Sequence, residues 1–234
     1  MALDFIEPWI VNAPENFGKL LPWLHKLGYS GCIIEGIGAQ DLKEVSKKVL
    51  TSDRFTTFTR KTLETNKKNP PNLDQIRNQV DFLTFFCSNA EITKWACQDQ
   101  RIDNLLFPIK EFHRLVDDST INLVNENKKS IEVDFSSIIS DKYPIAQLRN
   151  IIKVVYKATK KDVPLIFSSK AKTIEMVRSP YSLIGFLNFV GFPLNYYQNI
   201  SQPWLTQRLK RNISRKSDSF ISPGLWVTSE DDLS

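Results

Sequence analysis

The chain has 234 residues, of which 41% are hydrophobic and 24% are charged, as is typical of a soluble globular protein. This length suffices for one α/β domain with a sizeable core. No apolar run approaches the roughly 18 residues that a bilayer-spanning helix needs, and the first residues lack the basic and apolar regions of a secretory signal. We therefore expect an intracellular protein without membrane contact. The net charge of +5 is compatible with a nucleic-acid partner but does not demonstrate one.

The chain has too few cysteines and histidines for an obvious metal site. Cys32, Cys87 and Cys97 lie in apolar or helical surroundings, which favours reduced buried thiols over a disulfide framework or a metal cluster. His25 and His113 are the only histidines. Neither has a partner histidine at metal-ligand spacing, so each is interpreted as a surface or half-buried imidazole.

Short strands alternate with helices along the first half of the chain. Alternating or fully apolar runs predict the strands, and apolar residues at helical spacing predict the helices. Pro14 marks a turn at 12–15, and 64–72 is a polar loop. The predicted strands are 3–6, 32–35, 55–63, 81–86 and 105–107. The predicted helices are 17–28, 41–50, 73–80 and one that follows a cap at Ser88 or Asn89.

The second half continues the alternation, although 112–119 is ambiguous. Strands are predicted at 121–124 and 130–135, and the longest helix at 143–161. The apolar stripe of that helix is Ile145, Leu148, Ile151, Ile152 and Val155. Pro203 begins a last helix. The composition then changes to Ser, Asp and Pro, so we predict one domain over 1–214 and a flexible tail over 215–234.

The stretch from Val163 to Pro193 predicts a strand, a loop and a helix. The apolar run 165–167 suits a strand buried on both faces, and Ser168-Ser169 follows it. Ser179 is the predicted N-cap of a helix with Pro180 at its first position. Lys170, Lys172 and Arg178 are the cations of this loop, which lies where parallel α/β folds bind their ligands.

Seven or eight alternations of strand and helix predict a single-domain α/β fold of the TIM-barrel-like (β/α) class. An open doubly wound sheet is the main alternative, which the pattern alone does not separate from the barrel.

The sequence offers few side chains that could catalyse a reaction. Glu7 and Glu35 lie near the ends of predicted strands and are candidates for an acid/base pair. Together with Asp134, they are the residues that a metal-dependent phosphoesterase, the alternative function, would use. Ser168 and Ser169 lack a Gly-x-Ser-x-Gly elbow and a nearby histidine. We therefore predict no catalytic residue and keep the phosphoesterase as the alternative.

Charge is distributed unevenly along the chain. Between Lys153 and Asp218, twelve basic residues stand against three acidic ones, a local charge of +9, and the remainder carries −4. Such asymmetry suits a protein that lays one face on a phosphate backbone. Lys157, Lys160 and Lys161 alone are interpreted as a solvated helix face, and Tyr196 and Tyr197 as core residues rather than base-stacking ones. The predicted phosphate contacts are Arg178, Lys172, Lys170, Arg149, Lys153, Arg60, Arg208 and Arg211.

The same residues resemble the ribonuclease P protein component 3 family. The resemblance is specific in Leu165-Ile-Phe-Ser-Ser-Lys-Ala171 and Val177-Arg-Ser-Pro-Tyr-Ser-Leu183. It extends to Ile131-Glu-Val-Asp-Phe135, Leu148-Arg-Asn150, Gly191 and the helix over 203–212. The N-terminal half is similar more loosely, through 27–34 and Thr59-Arg60. Lys170 stands where the family commonly has Gly, so a loop less able to adopt a positive φ is expected there.

The resemblance implies a barrel related to metal-dependent phosphoesterases but without their metal ligands. It implies a protein subunit of ribonuclease P, the ribonucleoprotein that removes the 5′ leader of precursor tRNA, in which an RNA subunit carries the catalysis. The implied partners are ribonuclease P RNA, protein component 2, other ribonuclease P proteins and, indirectly, precursor tRNA. No cofactor is expected on the protein, while Mg²⁺ is implied for the RNA. The implied location is the cytoplasm of an archaeon, or the nucleolus if the source is eukaryotic.

Overall fold

Parallel strands form a nearly closed barrel in the computed structural model, which describes residues 5–11, 17–38, 40–41, 55–139, 144–189, 191–216, 220–222 and 225–226. Among these residues the barrel sheet has seven strands, and each strand pairs with the next along the chain. This topology confirms the predicted barrel over the doubly wound alternative. The strands are β1 (Ile6–Val11), β2 (Gly31–Glu35), β3 (Thr56–Glu64), β4 (Phe82–Phe86), β5 (Asn104–Leu106), β6 (Ser130–Asp134) and β7 (Leu165–Ser168).

The residues after β7 close the ring against β1. The Val11 amide donates to the carbonyl of Ala171 at 2.9 Å, and the Ala171 amide donates to the carbonyl of Trp9 at 3.3 Å. Lys170, just before this bridge, adopts a left-handed φ of 46°. The expectation that a lysine would keep this loop out of the positive-φ region is therefore wrong. The backbone pairing of Ala171 holds the turn, although a non-glycine residue there is strained.

No helix formed by the described residues combines the length and apolar character that a bilayer crossing requires.

Helices follow most strands of the barrel. Short 3-10 turns cover Ile109–Glu111 and Ile174–Met176, and a π turn covers Tyr197–Ser201. The helices are α1 (Phe17–Lys26), α2 (Leu73–Gln79), α3 (Ala90–Gln98), α4 (Phe112–Leu115), α5 (Asp118–Glu126), α6 (Phe135–Ile139), α7 (Pro144–Thr159), α8 (Pro180–Phe189), α9 (Leu194–Tyr196) and α10 (Gln202–Ser214).

The strand predicted at 121–124 is wrong, because these residues belong to helix α5. The Asp117 side chain caps this helix by accepting from the Thr120 amide at 2.8 Å. Ile121 and Val124 are buried at helical spacing. The ambiguous segment 112–119 is the short helix α4 followed by the start of α5.

Several other expectations changed or lie outside the described residues. The first strand begins at Ile6 and continues to Val11. Helix α7 buries Ile151 and Val155 of its predicted apolar stripe, but Ile145 and Ile152 are exposed, at 68% and 37%, and do not belong to it. The predicted turn at 12–15 and residues 42–50 of a predicted helix are not described. In the tail, only an antiparallel pair is described beyond residue 216, formed by β8 (Phe220–Ser222) and β9 (Leu225–Trp226).

Helix α10 covers the end of the barrel where the strands begin. Its Leu205 and Leu209 pack against an apolar interior layer from the strands. The Asn212 amide group donates to the carbonyl of Asp81, just before β4, at 2.9 Å. The Gln202 side chain accepts from the Ile6 amide at 3.2 Å. This end of the barrel is thus closed by packing, and the polar interior residues lie toward the strands' carboxyl ends. The apolar layer consists of Ile6, Ile33, Phe58, Phe82 and Ile166.

Candidate nucleic-acid interface

A buried ion pair occupies the barrel interior. The Arg60 guanidinium donates to both carboxylate oxygens of Glu132, at 3.0 and 2.8 Å, and both side chains are fully enclosed. Arg60 also donates to the carbonyl of Pro8 at 3.0 Å. Asn104 donates to the same carboxylate. This placement corrects the expectation that Arg60 contacts phosphate, because its charge is neutralised inside the barrel and no water-exposed surface remains.

Trp9 forms the layer above this pair. β1 has a bulge between Glu7 and Ile10, where Pro8 has no N–H to donate to the sheet. The Trp9 indole donates to Glu35 at 2.7 Å. The Arg60 guanidinium and the Lys170 ammonium lie over its ring, 4.1 and 4.6 Å from the centroid. Both cations are therefore held against the Trp9 ring rather than left free. No sequence pattern points to Trp9.

The three carboxylates of the phosphoesterase alternative each serve a structural contact. Glu35 accepts from the Thr62 amide at 2.5 Å as well as from Trp9. Asp134 caps α6 by accepting from the Ser136 amide at 2.9 Å. Glu7 lies against Tyr29 and Ser169. Within the described ranges, no three His, Cys, Asp or Glu side chains gather to hold a metal ion. The geometry does not support the metal-dependent phosphoesterase.

Glu7 and Tyr29 hold the backbone of the candidate loop from below. One Glu7 oxygen accepts from the amides of Trp9 and Ser169, at 3.3 and 3.0 Å. The other lies 3.0 Å from the Tyr29 hydroxyl, which is also 2.8 Å from the carbonyl of Arg178. A hydroxyl has one hydrogen for these two acceptors, so the arrangement is complete when Glu7 is protonated and donates to Tyr29. Consistently, burial raises the pKa of Glu7 to about 7.

The loop between β7 and α8 presents two cations to solvent. Lys172 and Arg178 are exposed, and Lys170 is half-buried against Trp9 with its ammonium 3.5 Å from Asp134. Arg178 donates one N–H to the carbonyl of Glu175 at 2.8 Å. Among the described residues its other N–H groups have no hydrogen-bond partner. Ser179 caps α8 as predicted, since its hydroxyl accepts from the Ser182 amide at 3.1 Å. The Glu175 carbonyl thus positions the Arg178 guanidinium, whose remaining N–H groups are free to bind an anion.

The remaining predicted contacts divide between α7 and α10. Arg149 and Lys153 are exposed on α7, and Arg211 is exposed on α10. Arg208 is buried: it donates to the carbonyl of Lys128 and pairs with Asp103 at 3.6 Å. Burial lowers the pKa of Arg208. Its predicted role as a phosphate contact is therefore corrected to one of tying α10 to the barrel end.

The three cysteines and the tyrosine pair Tyr196–Tyr197 are all buried. Cys32, Cys87 and Cys97 are free and buried, as expected, and burial raises the pKa of each thiol. Tyr196 and Tyr197 are buried in the core, so neither is open to a base.

The chain resembles archaeal proteins named ribonuclease P protein component 3. One from Methanococcus maripaludis strain C6 is 24% identical over 221 residues, covering 88% of this chain and 92% of that protein. One from Methanococcoides burtonii is 23% identical over 192 residues, covering 78% and 76%.

Solved structures show the same fold. A chain in a cryo-EM structure of archaeal ribonuclease P with mature tRNA superposes with a TM-score of 0.78 at 18% identity, covering 96% of this chain and 99% of that one. A lactonase from Listeria monocytogenes gives a TM-score of 0.51 at 11% identity, covering 87% and 94%. These likenesses support a barrel that is also used by enzymes.

The family model for RNase P subunit p30 matches residues 11–216. That range includes the whole of β2 to β7, the loop with Arg178, and helix α10. The chain belongs to the RNase P subunit p30 family.

Proposed function

We propose that this chain is a protein subunit of a ribonuclease P ribonucleoprotein. In this role it binds and organises the catalytic RNA for removal of the 5′ leader from precursor tRNA. The observation that carries the proposal is the division of cations. Arg60 is neutralised by Glu132 inside the barrel, whereas Lys172 and Arg178 point to solvent from a loop anchored by Tyr29.

The exposed cations suit a phosphate backbone better than a small substrate. Arg178, Lys172, Arg149, Lys153 and Arg211 are all exposed. A planar guanidinium at Arg178 can grip a phosphate with two N–H groups, and lysines add salt-sensitive attraction. The chemistry of cleavage belongs to the RNA, with Mg²⁺ bound there, and the protein needs no cofactor of its own. An RNA catalyst agrees with the structural roles of Glu7, Glu35 and Asp134, whose carboxylates accept hydrogen bonds from backbone amides.

The same proposal includes the partners of the chain. Other ribonuclease P proteins, protein component 2 among them, would bind surfaces away from the RNA contacts. Precursor tRNA would be reached indirectly, through the assembled particle. We place this particle in the cytoplasm.

Reconstitution tests the function. Ribonuclease P RNA is assembled with its protein subunits, with and without this chain, and cleavage of precursor tRNA is followed. The chain should raise the rate of 5′-leader removal, while the chain alone cleaves neither precursor tRNA nor a simple phosphodiester. Unchanged cleavage after omission of the chain, or hydrolysis by the chain alone, would contradict the proposal.

A further inference from the structure

Tyr156 is an exposed aromatic side chain on α7 with a groove on each side. Its side chain is 60% exposed. One groove, of about 540 Å³, lies between α5 and α7, and the other, of about 670 Å³, lies between α7 and the segment around Pro193 and Asn199. Tyr156 and Lys160 line both grooves. The tyrosine therefore forms the ridge of a continuous surface.

The groove between α5 and α7 is strongly basic. It is lined by Lys153, Lys157, Lys160 and Lys161, with Asp118 as its one carboxylate. Asp118 pairs with Lys157 at 3.2 Å, and the other three lysines form no ion pair with any residue that the structure describes. Two lysines on other surfaces, by contrast, are each paired with a carboxylate. Lys68 pairs with Glu91 at 2.6 Å and Lys216 with Asp81 at 2.8 Å.

The positive charge is presented together with the ring. The Lys160 ammonium lies 4.2 Å from the centroid of the Tyr156 ring. Lys153 and Lys157 are one helical turn apart, roughly 6 Å along the axis, so they form a row beside the ring. Of these three lysines, Lys157 is paired with Asp118, whereas Lys153 and Lys160 form no ion pair with a described residue. An exposed aromatic ring beside such lysines suits single-stranded nucleic acid, with a base on the ring and phosphates on the cations.

The surface continues toward the barrel end that α10 covers. The second groove shares Asp162, Asn199 and Ile200 with a third groove of about 420 Å³. That third groove is lined by Lys128 and Arg211, among others. Cations thus recur along α7 and onto α10, with Asp162 as a carboxylate between them.

We propose that Tyr156 and the lysines beside it bind an unpaired segment of RNA, with one base stacked on the tyrosine ring. The inference rests on the proposed function and extends the RNA contacts from Lys153 along α7 toward the barrel end that α10 covers. Unpaired RNA is favoured over a duplex because bases within a helix are already stacked and do not offer their faces. Lys157, Lys160 and Lys161 then act with the tyrosine rather than as a solvated helix face.

The test measures stacking directly on the full chain. A single-stranded RNA of about 12 nucleotides that carries 2-aminopurine is titrated with the protein. Stacking should quench the fluorescence. Tyr156→Ala should abolish the quench and raise Kd roughly 5- to 100-fold, and Tyr156→Phe should retain both. Trp23→Ala is the matched control, because Trp23 is also exposed beside a lysine, Lys26, at 5.8 Å.

The outcomes separate this inference from the proposed function. Binding and quenching that survive Tyr156→Ala would overturn the inference. It would also be overturned if Tyr156→Ala weakened the binding of a duplex RNA as much as that of the single strand, because the surface would then attract any RNA by charge. If Arg178→Ala still weakens binding to ribonuclease P RNA in those cases, the proposed function stands. If Tyr156→Ala instead releases another protein subunit and leaves RNA binding unchanged, the groove is a protein contact and the inference is wrong. A chain that binds no RNA contradicts both.

Discussion

Arg60 and Glu132 join β3 to β6 across the barrel interior through two N–H···O contacts of 3.0 and 2.8 Å. The pair lies beneath the Trp9 ring, which the Arg60 guanidinium approaches to 4.1 Å. This interior space, toward the carboxyl ends of parallel strands, is where barrel enzymes assemble their active sites. Here it is filled by a neutralised ion pair, and we expect the RNA contacts of this chain to lie outside the barrel.

Arg60→Ala should destabilise the fold strongly. The substitution leaves the Glu132 carboxylate buried without its cation, at a cost of about 3–5 kcal/mol. Urea denaturation measures the loss. The double variant Arg60→Met with Glu132→Leu should recover most of it, because no lone charge remains. A loss under about 1 kcal/mol in the single variant would show that the pair is not as enclosed as the structure has it.

Glu7 should make the protein less stable as the pH rises. Burial raises the pKa of Glu7 from 4.5 to about 7, so the folded state retains a proton that the unfolded state loses. The resulting stabilisation is fully present below about pH 4.5, falls between pH 4.5 and 7, and amounts to about 3 kcal/mol. Glu7→Gln keeps a neutral acceptor and places an N–H toward Tyr29. It should remove this pH dependence and be more stable than the natural protein at pH 8.

The matched control for this experiment is Glu64→Gln, since Glu64 is exposed at the end of β3. Its pH–stability profile should match that of the natural protein. A Glu7→Gln profile that still falls between pH 4.5 and 7 in parallel with the natural protein would contradict the assignment to Glu7.

Tyr29→Phe should loosen the Arg178 loop without unfolding the barrel. It removes the hydroxyl that lies 2.8 Å from the Arg178 carbonyl and 3.0 Å from Glu7. The expected loss of stability is about 1–3 kcal/mol, because the Arg178 carbonyl loses its donor and the buried Glu7 carboxyl loses its hydrogen-bond partner. Affinity for ribonuclease P RNA should also fall, by less than in Arg178→Ala. Full RNA affinity in Tyr29→Phe would show that the loop does not need this anchor.

Local signals in the sequence were enough for much of the fold. Ser179-Pro180 predicts the start of α8, and the Ser179 cap is present. Asp117 carries an equally local signal, because it is the N-cap of α5, yet the mostly apolar segment 121–124 predicts a strand. Short apolar runs do not distinguish a strand from a helix by periodicity alone.

The site depended on information that local patterns do not carry. Arg60 is neutralised because the closed barrel brings β3 and β6 to face each other, so that it meets Glu132, 72 residues away. Likewise, Arg208 meets the carbonyl of Lys128 across 80 residues. A count of charges treats these arginines like Arg178, and only the tertiary arrangement separates neutralised cations from open ones. No local pattern singles out Tyr156, because the two grooves beside it form only when α7 packs near α5 and near residues 193–200.

Arg178→Ala should leave the fold intact and weaken both RNA binding and reconstituted tRNA processing. The Arg178 side chain is exposed and donates to the nearby Glu175 carbonyl at 2.8 Å. Loss of one phosphate contact should lower the salt dependence of binding by about one unit of slope. Arg114→Ala is the control, because Arg114 is exposed and pairs locally with Glu111 at 2.9 Å. Equal effects of the two substitutions would remove Arg178 from the RNA contacts.

The most direct test of the central claim is a salt titration of the purified chain, with its protein partner, on ribonuclease P RNA. If Arg178, Lys172, Arg149 and Lys153 each neutralise a phosphate, a plot of log K against log salt concentration should fall with a slope of about −3 or steeper. Arg178→Ala should make the slope shallower. A slope near zero would contradict the account of an RNA-binding barrel subunit.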